Sequence, residues 1–203
     1  MSVFIQTSKT SPFGRKVRIA LINLNLEVDI GIEWLDTTSD TGVSKIQNPL
    51  RKVPVLIDSA NPDRPILDSR TILAYLDEIH GENILYPNGS QRWDVLSLQA
   101  VTDGILDASL LQLYELRFRD EKARSPGWVD HQLSKVTRSL TYCEKLIEPH
   151  TRINLNAGEI GLAVALGYLD FRFDGVWRKE FPKLQVWLEH YSRSVPAFEL
   201  TKP

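Results

Sequence analysis

Several features are scarce in this sequence, and each absence excludes a class of protein. The 203 residues contain one cysteine, which excludes an intramolecular disulfide, a paired-cysteine redox motif and a cysteine-based zinc finger. The four histidines are scattered along the chain without a metal-binding motif, so we expect no metal cofactor. Lysine and arginine number 24 against 26 acidic residues, and this near balance argues against a nucleic-acid partner.

Long hydrophobic stretches are also missing. The longest apolar run, at 160–169, is far shorter than the roughly 20 residues of a membrane-spanning helix. The segment 1–6 has no basic region followed by an apolar stretch, so no secretory signal is expected. We therefore predict a cytoplasmic protein without a membrane partner. Its composition, 42% hydrophobic and 25% charged, is typical of a globular protein.

The two halves of the chain differ in their hydrophobic pattern. Between residues 3 and 80, short β-type runs alternate with helical periods, whereas the periodicity from about residue 91 onward is almost entirely helical. Strands are predicted at 3–6, 28–35 and 53–57, a loop at 37–42, and helices near 91–120, 128–147, 156–169 and 182–196. The pattern predicts an α/β domain over 1–81, a linker over 82–90 and an all-helical domain over 91–203.

Three short motifs combine local structure with possible chemistry. Ser11 precedes Pro12, which is typical of a helix N-cap, but a helix start also presents a hydroxyl and free N–H groups to an anion such as a thiolate. Asp68 followed by Ser69 repeats this pattern. Val53–Pro54 enters a strand, and a cis bond here would turn the Val53 backbone toward an extended, peptide-like ligand. Local structure alone would explain each motif.

The order and spacing of these motifs resemble the soluble glutathione transferases, and in particular bacterial members. The resembling segments run the whole length of the chain, at 11–18, 48–56, 68–72 and 160–172. The resemblance implies an α/β plus all-α architecture, in which an N-terminal thioredoxin-like domain precedes a C-terminal helical bundle. It also implies a homodimer that binds glutathione as a co-substrate.

The resemblance further implies particular site residues. Ser11 would be the catalytic residue, donating a hydrogen bond to the glutathione sulfur and so favouring the thiolate; Ser8 and Thr10 remain rivals. The implied glutathione-binding residues are Phe13, Lys52, Val53, Pro54, Asp68, Ser69 and, reaching from the partner subunit, Asp103. A second substrate would lie against Phe13 and the first long helix. Candidate wall residues there, which equally suit a bundle core, are Leu106, Leu110, Leu111, Tyr114 and Phe118.

The implied activity is conjugation of the glutathione thiolate to small electrophilic, largely apolar substrates. Two alternatives stay open: a non-catalytic binding or regulatory protein with this fold, and a glutathione-dependent peroxidase or isomerase. Reductase chemistry of the glutaredoxin type is not favoured, because Ser11 stands where such relatives have cysteine. The single cysteine, Cys143, falls in the helical half and is expected to be a buried apolar residue.

Overall fold

A four-stranded mixed sheet forms the first part of the computed structural model, which describes residues 3–203. Within that range the strands are β1 (Val3–Thr7), β2 (Ile30–Trp34), β3 (Val55–Asp58) and β4 (Ile66–Leu67), in the order β2-β1-β3-β4. β1 runs parallel to β2 and antiparallel to β3, and β3 is antiparallel to β4. This is the predicted thioredoxin-like arrangement.

Helices connect the strands and form most of the chain after the sheet. Three accompany the sheet: α1 (Pro12–Asn23), α2 (Asp40–Ser44) and α3 (Ser69–Leu76), the last continuing into a π-helical turn at Asp77–Gly81. The helical region comprises α4 (Gln91–Phe118), α5 (Pro126–Leu146), α6 (Ala157–Phe173), α7 (Pro182–Ser194) and α8 (Pro196–Leu200). The predicted fold class is confirmed. No helix of the described chain is both long enough and apolar enough to cross a membrane.

Helix α6 lies at the centre of the helical region and is buried on nearly every side. Its start is fixed by Asn156, whose side chain accepts from the Glu159 N–H at 2.9 Å. Gly161 lets α6 approach α4 closely, since a Cβ at this position would collide with Thr102 Oγ1. The large apolar core around α6 also includes residues of α1, so this core joins the sheet to the helices.

The sequence prediction was wrong at several element boundaries. The polar stretch 37–42 is not all loop, because Ser39 Oγ accepts from the Gly42 N–H at 3.1 Å and caps α2. β2 begins at Ile30 rather than 28, because the Ile30 N–H first closes a turn onto Leu26 O at 2.9 Å. β3 begins at Val55 rather than 53. The two-residue strand β4 and the extension of α6 to Phe173 were not predicted.

Candidate functional site

Strand register brings the three sequence motifs to one end of the sheet. Val55 pairs with Gln6 of β1 on one side and with Leu67 of β4 on the other. Both pairings are antiparallel, so the chain before Val55 leaves the sheet at the same edge as the chain after Gln6 and after Leu67. The segments that meet at this edge are 8–11, 53–54 and 68–69.

Ser11 is the N-cap of α1. Its Oγ accepts a hydrogen bond from the Gly14 N–H at 3.1 Å, and the side chain is half-buried. A hydroxyl has one donor besides its acceptor lone pairs, so this bond orients the oxygen and leaves the O–H able to donate to a ligand. Gly14 allows α1 to lie directly against β1, because a Cβ there would collide with Thr7 Oγ1. The cap and the catalytic interpretation are therefore compatible.

The two rival hydroxyl residues differ from Ser11 in exposure. Ser8 is buried and its carbonyl accepts from the Ser11 N–H at 3.3 Å, whereas Thr10 is exposed in the intervening turn. Ser11 alone among the three combines partial exposure with a hydrogen bond that fixes its side chain. Its assignment as the residue that acts on the thiol stays a prediction.

The Val53–Pro54 peptide bond is cis, the geometry that the binding interpretation of this motif required. Across residues 3–203, the backbone N–H and C=O of Val53 form no hydrogen bond. The preceding loop is held by Asn48, whose side chain donates to Lys52 O at 3.0 Å and accepts from the Leu50 N–H at 2.9 Å. The two hydrogen bonds of the Asn48 side chain thus hold the loop in place. The backbone N–H and C=O of Val53 remain available to bind a ligand.

Asp68 and Ser69 open helix α3. Asp68 Oδ1 accepts from the N–H groups of Arg70 at 2.7 Å and Thr71 at 3.2 Å, which confirms the predicted cap. The second oxygen, Oδ2, forms no hydrogen bond within the described chain. Asp68 has φ 65° and ψ 159°, a conformation that is strained by roughly 1–3 kcal/mol in residues other than glycine and clusters at functional sites. Ser69 is buried at the first helical position.

Asp103 of α4 forms a buried ion-pair cluster with Lys16 of α1 and Arg70 of α3. Lys16 Nζ donates to Oδ1, and Arg70 Nε donates to Oδ2 at 2.6 Å. Lys16 is fully buried and Asp103 nearly so, while half of the Arg70 side chain is exposed. Burial lowers the pKa of Lys16, and the charge of Asp103 opposes this shift. Asp103 is 1% exposed, so glutathione could reach its carboxylate only if the side chains that cover it moved.

Asp107 lies one turn further along α4. Burial raises its pKa, the charge of Asp103 adds to the shift, and Lys52, Arg70 and Lys16 oppose it. Lys52 is thus within electrostatic reach of Asp107. This turn of α4 therefore lies near the loop that leads to Val53 and Pro54.

The candidate wall residues on α4 separate into core and surface positions. Leu106 is fully buried in the core, in agreement with the bundle-core alternative for this residue. Leu110 is half-buried against the same core, whereas Leu111 and Tyr114 are each 37% exposed. Phe118 is exposed, with its ring centroid 5.2 Å from that of Tyr114. Apolar surface is therefore available along the second half of α4.

A cavity lies apart from these segments, next to Arg15 of α1. It has a volume of about 560 Å³ and lies between α6, α7 and α8. Arg15 forms part of its wall, is almost fully buried and donates to Phe198 O at 2.7 Å. Burial lowers the pKa of this guanidinium to about 10. None of the predicted site residues lines this cavity, and no cluster of potential metal ligands occurs among residues 3–203.

Comparison with known proteins decides the family. The family model described as the N-terminal domain of glutathione S-transferase matches residues 7–84. The uncharacterized GST-like protein YibF of Escherichia coli K12 is 32% identical over 201 residues, covering 97% of this chain and 96% of the relative. The chain belongs to the glutathione S-transferase family.

Solved structures of glutathione S-transferase relatives match the whole chain. A family member from Pseudomonas fluorescens Pf-5 with bound glutathione is 34% identical, with a TM-score of 0.89, and the match covers 100% of this chain and 99% of that one. A second structure from that bacterium holds S-(propanoic acid)-glutathione. A glutathione S-transferase from Methylobacillus flagellatus with glutathione bound is 27% identical, with a TM-score of 0.88 and complete coverage of both chains.

The sequence did not predict two features near the candidate site of this glutathione S-transferase family member. Lys16 stands in the basic run 15–18, a pattern typical of an exposed helix face, yet it is buried against Asp103. Gly14 gave no signal at all, although its missing Cβ sets the distance between α1 and β1. The prediction of a buried Cys143 is confirmed, and burial raises the pKa of its thiol to about 12.

Proposed function

We propose that this chain is a glutathione transferase that joins the glutathione thiolate to small electrophilic, largely apolar substrates. The observation that carries the proposal is the Ser11 hydroxyl, which the Gly14 N–H orients at the start of α1. Its O–H is left to donate to a sulfur atom at the edge where three binding segments meet. Membership of the family and the relatives with bound glutathione support this choice of ligand.

Glutathione would bind along the sheet edge in an extended conformation. Its cysteinyl backbone would pair with the N–H and C=O of Val53, and its glycyl carboxylate would lie near Lys52. The γ-glutamyl carboxylate would bind at Ser69 and the N-terminus of α3, with its ammonium on the free Oδ2 of Asp68. Phe13 and Pro54 would flank the peptide. Val53 and Asp68 offer polar atoms without a hydrogen-bond partner for these contacts, whereas Pro54 and Ser69 are buried.

The proposed chemistry is nucleophilic attack by the thiolate. The Ser11 hydroxyl and the positive N-terminus of α1 favour the charged sulfur and lower the thiol pKa, so the proton passes to solvent before the attack. A carbon–sulfur bond then forms at the electrophilic carbon. The leaving group departs with its bonding pair, or, in an addition, the displaced π pair takes up a proton from water.

The second substrate would bind beside Phe13 and the partly exposed side chains of α4. Leu110, Leu111 and Tyr114 present apolar surface there. The P. fluorescens relative holds a glutathione whose sulfur carries a propanoic acid group. We propose that this chain likewise accommodates a short substituent on the sulfur.

Ser11→Ala tests the catalytic assignment. We expect kcat/KM with chlorodinitrobenzene to fall by at least tenfold, a loss of about 1.4 kcal/mol in transition-state stabilisation, while the glutathione Kd changes less than about twofold. The pH at which activity reaches half its maximum should move up toward the roughly 8.5 of a free thiol. Ser11→Gly is the matched control for folding, since glycine keeps most of the cap's stability but has no hydroxyl; it should lose the same activity.

Ser8→Ala and Thr10→Ala separate the rival hydroxyls. Unchanged turnover in Ser11→Ala, combined with a loss in either rival variant, would transfer the role to that residue. A panel containing a hydroperoxide and an isomerisation substrate tests the alternative reactions. Glutathione binding without turnover of any electrophile, hydroperoxide or isomerisation substrate would instead favour the non-catalytic binding protein.

We also propose a cytoplasmic homodimer. Exposed apolar side chains on α4 and α5, among them Trp93, Leu133 and Tyr142, provide surface that association would bury. Light scattering should then give twice the chain mass of 23.1 kDa. A mass equal to one chain at micromolar concentration would contradict the dimer and, with it, any contribution of Asp103 to a partner's site.

A further inference from the structure

The cavity between α6, α7 and α8 has no role in the function proposed above. Its volume of about 560 Å³ lies within the range of sites that bind small organic ligands. None of the residues assigned to glutathione or to the second substrate lines it. A ligand in this cavity would therefore bind at a place separate from the proposed transferase site.

Arg15, which forms part of the cavity wall, is a buried cation without a carboxylate partner. The residue is 3% exposed, and within the described chain no carboxylate lies at ion-pair distance from it. Asp170 and Glu199 act on its charge only from a greater distance. Buried charges in proteins are nearly always paired. An anion from outside the chain would supply the missing partner.

The Arg15 guanidinium is held in place with one nitrogen to spare. Nε donates to Thr201 Oγ1 at 3.3 Å, and Nη2 donates to Phe198 O at 2.7 Å. The group also lies 4.2 Å from the centroid of the Phe198 ring. Nη1 forms no hydrogen bond within the described chain and remains in contact with solvent. Nη1 can therefore donate to a ligand while the other two nitrogens keep their partners.

Gly167 of α6 keeps the space beside Nη1 open. A Cβ at this position would lie 2.8 Å from Nη1 of Arg15. Gly167 and Arg15 both line the cavity. An acceptor oxygen can consequently approach Nη1 from the cavity, through the space that a larger residue would fill.

Two ion pairs in the cavity wall use up most of its other charges. Arg178 Nη2 donates to Asp170 Oδ2 at 2.7 Å, and Lys202 donates to Glu199. Ser192 Oγ also donates to Glu199, at 2.6 Å. These carboxylates repel a doubly charged phosphate more strongly than a singly charged ligand. The wall therefore favours a monoanion over a dianion.

The remaining charged side chains of the cavity wall carry one net positive charge. Among the described residues that line the cavity, Arg15 and Arg193 are the cations without an ion pair, and Glu189 is the carboxylate without one. Arg193 and Glu189 are exposed at the rim, whereas Arg15 is buried. Phe171 and Leu188 add apolar surface. One carboxylate on an apolar body matches both the charge and the apolar part of this lining.

We propose that this cavity binds a small organic carboxylate with an apolar body, and that Nη1 of Arg15 donates to the carboxylate. The bound carboxylate neutralises the buried guanidinium, and the apolar body lies against Phe171 and Leu188. The ligand binds without a chemical change. This site does not depend on the proposed transferase function, so either can fail without the other.

Calorimetric titration with benzoate, hexanoate and benzamide tests the proposal. Benzamide has almost the shape of benzoate but no charge. We expect saturable binding of at least one of the two carboxylates, with one site per chain. Benzoate should bind roughly 10- to 100-fold more tightly than benzamide, the range of a charge-assisted hydrogen bond. S-propylglutathione at saturation should not displace the carboxylate, because the two ligands bind at different places.

Substitutions in the cavity wall locate the binding. Arg15→Met should abolish the preference for benzoate over benzamide, and Arg15→Lys, which keeps the charge but loses the planar fork, should retain part of it. Because Arg15 also ties α1 to the 198–201 segment, Ser192→Phe is a second variant that fills the cavity and leaves Arg15 in place. It should weaken carboxylate binding at least about tenfold. Ser194→Phe, on the same helix but outside the cavity, is the matched control and should leave the affinity unchanged.

Several results would overturn the proposal. They are the absence of saturable binding of either carboxylate up to tens of millimolar, equal affinity for benzoate and benzamide, and unchanged carboxylate binding in Ser192→Phe. Displacement of the carboxylate by S-propylglutathione would place it in the transferase site and would also overturn the proposal. If S-propylglutathione does not bind, the transferase proposal fails, and the variants alone decide whether the carboxylate lies in this cavity.

Discussion

Asp103→Asn should destabilise the protein strongly, because Asp103 is the buried partner of two cations. It removes the charge that faces both Lys16 and Arg70 while keeping the size of the side chain. Arg70 can turn into water, because 52% of its side chain is exposed, but Lys16 is fully buried. Leaving a buried charge without its partner costs about 3–5 kcal/mol. Nearly all of this loss should come from Lys16.

The loss depends on pH, because Lys16 can lose its proton. From the ordinary lysine pKa of 10.5, neutralising this side chain costs about 4.8 kcal/mol at pH 7 and about 2 kcal/mol at pH 9. These values are the upper limits of the destabilisation at each pH, because the variant can always fold with Lys16 neutral. In the Asp103→Asn variant, the pKa of Lys16 lies far lower in the folded state than in the unfolded state, so the unfolded chain binds more protons. The free energy of unfolding of the variant, relative to that of the unsubstituted protein, therefore rises with pH by up to about 1.4 kcal/mol per pH unit.

Urea unfolding at pH 7 and pH 9, followed by tryptophan fluorescence at fixed protein concentration, measures this effect. Asp107→Asn is the matched control on the same helix and should lose less than about 0.5 kcal/mol. The double variant Lys16→Met/Asp103→Leu removes both buried charges and should recover most of the loss. A loss below about 1 kcal/mol for Asp103→Asn at pH 7, or a double variant no more stable than the single one, would refute the reasoning.

Three further changes test the packing and the caps. Gly14→Ala should destabilise the chain by about 1–3 kcal/mol in thermal unfolding, because the Cβ of the new alanine would collide with Thr7 Oγ1. Adding Thr7→Ala to this variant should restore most of the lost stability. If it restores none, the collision is not the cause of the loss. Cys143 should not react with a disulfide reagent in the native protein at pH 8, because burial raises its pKa to about 12, and should react fully in urea; rapid native labelling would refute this. Asn156→Ala removes the cap of the central helix and should cost about 1 kcal/mol in urea unfolding, and a change below the error of the fit would contradict the role of the cap.

The sequence predicted best what depends on neighbouring residues. The caps at Ser11 and Asp68 form as expected, because an N-cap needs only a side-chain oxygen and the N–H groups two or three residues on. The long helix predicted at 91–120 is observed as Gln91–Phe118. A helical period that continues over many turns predicts a helix even where a single turn is ambiguous. The end of this helix differs by two residues, as helix ends generally do.

Features that depend on tertiary contacts were not predictable. The two residues of β4 carry too little pattern to signal a strand, and only their pairing with β3 defines it. The partners Lys16 and Asp103 are 87 residues apart, and neither position differs locally from a solvated helix charge.

The central claim is that the edge formed by residues 8–11, 53–54 and 68–69 binds glutathione. Calorimetric titration of the purified protein with reduced glutathione tests it most directly. We expect saturable binding at one site per chain, with a Kd between micromolar and low millimolar values, or about −8 to −4 kcal/mol. No binding heat and no competition with S-propylglutathione, up to tens of millimolar glutathione, would contradict it.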